Sequence, residues 1–125
     1  MGRTYIANNK QYKGHFNKNV FDVNFSGADV LGLLMYATGD YSKKLEADNA
    51  KYGITDRLPS TRFSMDKEDC VRASQTILAM SPEKEKELYG DCLSYRLIDL
   101  DATDFHKFIV EWATFLQNCD GYKVN

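Results

Sequence analysis

The polar residues with the most chemical potential sit together near the C-terminal third: Asp99, Asp101, Asp104 and His106, with Asp91 close by in the chain. Three carboxylates and an imidazole at an element junction are hard-ligand chemistry for Mg²⁺ or Mn²⁺ and, with a bound metal, for phosphodiester hydrolysis. A simpler role competes for the same residues. Asp101 stands where a helix N-cap belongs, and Asp104 falls in the first helical turn, where negative charge is stabilised by the helix dipole. The stretch does not fit a calcium loop, because position six is Asp104 instead of Gly and position twelve is Val110 instead of Glu. Capping therefore explains most of the group, and the expectation is no metal and no cofactor, with a small metal-dependent hydrolase as the lesser alternative.

Nucleophilic chemistry has little to build on. Cys92 and His106 are a possible nucleophile and base, but no family signature surrounds Cys92. His15, His106, Cys70, Cys92 and Cys119 do not fall at zinc-site spacings. No phosphate-loop, dinucleotide, nucleophile-elbow or zincin string occurs. These readings lean toward a protein that is not an enzyme.

Two stretches carry binding chemistry instead. Residues 53–63 (GITDRLPSTRF) have no strand or helix period, and they set Ile54, Leu58 and Phe63 beside Asp56, Arg57 and Arg62. Apolar anchors next to arginine are typical of protein interfaces, so these six residues are the expected partner-binding set. The basic N-terminal stretch interleaves Arg3, Lys10, Lys13, His15 and Lys18 with Tyr5, Tyr12 and Phe16. Cations that meet phosphates and rings that stack on bases suit single-stranded nucleic acid, with Arg3, Lys10, Tyr12, Lys13 and Lys18 as the contacts of that alternative.

Charge supports both surfaces. The 125 residues carry a net charge of −2, yet residues 1–21 hold four cations and no acid, which leaves −6 on the remainder. A basic arm and an acidic body imply oppositely charged partners, though the acidic balance overall is not that of a dedicated nucleic-acid binder. Hydrophobic residues make up 43% and charged residues 27%, the composition of a folded domain rather than a disordered chain. Three widely spaced cysteines give no disulfide framework and point to a reducing, cytoplasmic setting. No apolar leader and no long apolar run are seen, so neither secretion nor a membrane is expected. Ile6 stands where a myristoylation signal needs Ser or Thr. The Lys-, Asn- and Tyr-rich usage suits an AT-rich bacterial or phage genome.

The elements that must position these residues follow from periodicity. Phe105, Phe108, Ile109, Trp112, Leu116 and Cys119 share one helical face over 101–119, opposite Asp104, Lys107, Glu111, Thr114 and Gln117. Phe21, Val23 and Phe25 alternate with polar residues and predict a strand over 20–25. Val30 to Thr38 is apolar on nearly every side and predicts a buried helix entered near Ser26. Residues 41–52 read as a polar helix, and Ser64 opens another that runs to Met80. Ser81-Pro82 opens a short helix ended by Gly90. Cys92 to Leu100 reads as a second, central strand. Thr4-Tyr5-Ile6 and Gln11-Tyr12 flank a turn at Asn8-Asn9-Lys10, so residues 1–16 are expected to form a peripheral hairpin or arm. The sum is one α+β domain over 1–125, helix-rich with about five helices, and a small sheet from residues 3–25 and 92–100. Its expected function is binding of another protein, in the manner of an inhibitor or immunity-type protein such as an anti-defence protein, with nucleic-acid binding as the alternative.

Overall fold

The computed structural model describes residues 2–38, 50 and 64–125, apart from the side chain of Phe25. Strand β1 (Gly2–Ala7) leads through a tight turn at His15–Asn17 into β2 (Val20–Asn24), and α1 (Phe25–Ala37) follows without a break. Further along come β3 (Met65–Asp66), α2 (Lys67–Leu78), α3 (Pro82–Ser94), α4 (Ala102–Asn118) and β4 (Gly121–Val124). The sheet is antiparallel throughout in the order β2-β1-β4-β3. The fold is therefore α+β, with four helices among the described residues. The expected helix over 41–52 lies outside them except for Ala50, and Ile54, Asp56, Arg57, Leu58, Arg62 and Phe63 lie outside them altogether.

The terminal helix is built as its spacing requires. Asp101 caps α4 by accepting from the Asp104 amide, and Phe105, Ile109, Trp112, Ala113, Phe115 and Leu116 are buried along it. That stripe lies on the sheet face formed by Tyr5, Phe21 and Tyr122. The Trp112 ring meets Tyr5 at 4.9 Å, Phe21 at 5.2 Å and Tyr122 at 5.8 Å, each edge-on. Such pairs add about 0.5–1.5 kcal/mol each beyond area burial, so this aromatic group is the structural centre of the domain. Helix α2 buries Cys70, Ala73, Ser74 and Ile77. Helix α1 buries Ala28, Val30, Leu31, Leu34 and Met35, which matches its apolar circumference.

Several sequence expectations are corrected. The 92–100 strand does not form. Helix α3 runs through Gly90 to Ser94 because Leu88 and Cys92, four residues apart, bury one helical stripe, and Gly90 sits on the open side, where a Cβ would meet nothing within 4 Å. Arg96 then turns with φ 57, and residues 97–100 run irregularly to the Asp101 cap. The Gln11-Tyr12 hairpin does not form either. Strand β1 pairs instead with β2, Thr4 facing Asp22, because only β2 offers the alternation that buries Phe21 and Val23. The sheet draws its remaining strands from residues 65–66 and 121–124. Helix starts shift by two residues: Asn24, not Ser26, caps α1, and Asp66, not Ser64, caps α2.

The reversal from α4 into β4 depends on Asp120 and Gly121, both at positive φ (57° and 89°). A Cβ at Gly121 would lie 2.9 Å from the Met65 carbonyl oxygen. Glycine is thus required twice over, by backbone conformation and by the approach of β3.

Candidate functional site

The four residues first suspected of metal binding are dispersed. Asp101 is spent on its cap, and Asp99 lies exposed in the 97–100 segment. His106 points Nδ1 at Glu85 Oε1 of α3, 2.7 Å away, on the outside of the helix pair. Among the described residues no group of three or more His, Cys, Asp or Glu side chains is placed to hold a metal ion. Cys92 is enclosed in the core, whereas His106 is exposed and holds its Nδ1 against Glu85, so the two form no nucleophile–base pair. Burial and Asp91 push the Cys92 thiol up to about 11, away from thiolate chemistry. Cys70 and Cys119 are buried against each other. The hydrogen bond to Cys119, together with burial, holds Cys70 firmly protonated.

Asp99 belongs instead to a cleft of about 280 Å³ between the end of β2, the start of α1 and the 97–100 segment. Val23, Val30, Leu97, Ile98, Leu100 and Phe108 give it apolar walls, with Gly27 keeping one side low. Asp22, Asn24 and Asp99 are the polar lining, and none of the described lining residues is cationic. Asp22 accepts one hydrogen bond from Thr4 Oγ1 at 2.6 Å, which uses only part of a carboxylate's capacity. Tyr89 of α3 donates to the Leu100 carbonyl at 2.7 Å and ties down the far wall. At the end of α3, just before this wall, Leu93 and Tyr95 are 44% and 56% exposed. The sequence reading missed the cleft because it treated 92–100 as one strand. The helical spacing of Leu88 and Cys92 is the signal that separates the two parts.

The basic stretch is also divided by the fold. Arg3 lies within β1 opposite Val23, with its Nε enclosed. Tyr12 is half-buried and its ring meets Phe115 edge-on at 5.6 Å. Lys10, Lys13 and Lys18 remain exposed on the β1–β2 connection. That connection is tightly held. Ala7 and Asn19 close it with two hydrogen bonds of 2.8 Å, and Asn9 binds the Asn118 and Cys119 carbonyls at the end of α4. His15 packs on Phe21 at 4.6 Å and accepts the Asp22 amide at Nδ1, 2.9 Å, which satisfies an N–H on the outer edge of the sheet. Its proton therefore resides on Nε2.

Among the described residues no helix is long and apolar enough to cross a membrane. No family model, curated protein or solved structure matches this chain.

Proposed function

We propose that this chain is a small, non-catalytic protein-binding module of the inhibitor or immunity-type kind, and that the β2–α1–97–100 cleft is its partner-contact surface. The observation that supports the reading is the cleft's combination of apolar walls with Asp22 and Asp99 and no lining cation. Its 280 Å³ lies just under the range of roughly 300–1,000 Å³ usual for small-molecule sites, which favours a single inserted side chain. A lysine or arginine on a partner fits this chemistry. Its aliphatic stem contacts Leu97 and Phe108, and its charged head pairs with Asp99, the exposed carboxylate of the 97–100 segment. Exposed Leu93 and Tyr95 supply the aromatic and aliphatic rim that protein interfaces favour. The acidic balance outside residues 1–21 steers a basic partner toward this body. The segment Ile54, Asp56, Arg57, Leu58, Arg62 and Phe63 stays in the proposal as a second contact on sequence grounds. Free Cys70, Cys92 and Cys119 suit a cytoplasmic setting.

The test is affinity capture from the source cell with wild type and with Tyr95→Ala/Asp99→Lys. Both residues are exposed, so the variant should melt as the wild type does. A partner held by the wild type and lost by the variant supports the proposal. Identical captured sets from both proteins overturn it.

A further inference from the structure

The β1–β2 connection carries a second surface of opposite character. Phe16 is 74% exposed and sits at φ 59, followed by Asn17 at φ 57. A bulky residue in the left-handed region is strained, and an exposed ring gains little from burial, so neither fold stability nor solubility accounts for a phenylalanine here. Lys10, Lys13 and Lys18 are exposed on the same connection, and the turn is closed by the Gly14 N–H donating to the Lys18 carbonyl at 2.7 Å and the Lys18 N–H donating to the His15 carbonyl at 3.1 Å. Next to Phe16, with ring centroids 6.3 Å apart, His15 borders a recess of about 240 Å³ that Tyr12 and Phe21 wall on one side and Val110, Glu111 and Thr114 of α4 on the other.

We propose that this turn binds single-stranded nucleic acid: the lysines hold the phosphates, one base stacks on Phe16, and a neighbouring base enters the recess between His15 and Glu111. The chemistry is matched group by group. Cations neutralise a phosphate chain irrespective of sequence, and an open aromatic face takes any base. Within the recess the His15 Nε2–H is a donor and the Glu111 carboxylate an acceptor, a pair that can meet the polar edge of a base. An exposed ring with a recess beside it, on a connection that carries three exposed lysines, favours nucleic acid over an acidic peptide or an anionic membrane, whose carboxylates and acyl chains offer no aromatic ring to stack. This surface is separate from the acidic cleft, so the failure of either proposal leaves the other standing.

The experiment is fluorescence anisotropy of a labelled 12-nucleotide mixed-sequence DNA strand, titrated with the full chain at several KCl concentrations from 20 to 150 mM. Three phosphate contacts predict a log–log salt slope of about −2. Phe16→Ala should weaken binding about tenfold at every salt while Phe16→Trp retains it, as loss and retention of one stacked base require. Lys10→Glu/Lys13→Glu should weaken binding further and flatten the slope. The inference is overturned by no binding at 20 mM KCl, by binding indifferent to Phe16→Ala, or by tighter, Phe16-dependent binding to phosphatidylserine vesicles or a polyglutamate peptide.

Discussion

Replacing Phe16 with glycine separates a ring kept for binding from a ring kept for folding. Only about a quarter of the side chain is covered, so its burial contributes roughly 0.5 kcal/mol of the 1.5–3 kcal/mol that full burial of a phenylalanine supplies. Against this, glycine removes a left-handed strain of about 1–2 kcal/mol and adds about 0.5–1 kcal/mol of unfolded-state entropy. The three effects nearly cancel, so Phe16→Gly should unfold within about 0.5 kcal/mol of the wild type. Phe21, packed against His15, Trp112 and Phe115, is the contrast: its truncation to alanine should cost about 3–5 kcal/mol. Urea unfolding followed by the fluorescence of Trp112, the chain's single tryptophan, reads both. The same Phe16→Gly protein should bind single-stranded DNA about tenfold more weakly. A stability loss above about 1.5 kcal/mol would refute the reasoning, because it would make the exposed ring a structural element.

Other consequences can be checked on the same protein. Gly121→Ala should lose about 1–3 kcal/mol in urea unfolding, since it meets both a positive φ and the Met65 carbonyl; a neutral outcome would contradict the α4–β4 reversal. His15→Ala leaves the outward Asp22 amide without its acceptor and should cost about 1 kcal/mol, with concentration-dependent association in sedimentation as the sheet edge opens. The Cys92 thiol titrates at about 11 in the fold, above its ordinary value. The unfolded chain therefore sheds that proton first, and Cys92 contributes stability that is complete below about pH 9 and is lost as pH rises toward 11. Thermal melts over pH 8.5–11 should fall less steeply for Cys92→Ala than for the wild type, and parallel curves would count against burial of the thiol.

What could be read from the residues alone depended on how many turns or strand positions carried the same pattern. Helix α4 shows its face over 17 residues, and the Asp101 cap and the buried stripe fall where the spacing puts them. The alternation of Phe21 and Val23 likewise marks β2. Strand β4 has four residues, of which Gly121 serves the turn, so no alternating run exists to recognise. Strand β3 has two residues and exists only as a partner for β4. Over 92–100 two periods overlap. Leu93, Tyr95 and Leu97 alternate like a strand, yet Leu88 and Cys92 continue a helix, and burial of the helical stripe decides. The cleft was hidden with that segment. The basic stretch was visible as composition, but only the fold turns Arg3 and Tyr12 inward and leaves Phe16 outside with the lysines.

The most direct test of the proposed partner surface is a nitrogen-15 NMR titration with a capped Leu-Arg-Leu peptide. The account predicts saturable shifts concentrated at Val23, Asn24, Gly27 and Leu97 to Leu100, lost on Asp99→Lys. Shifts scattered over the surface, or unchanged by that substitution, would contradict it.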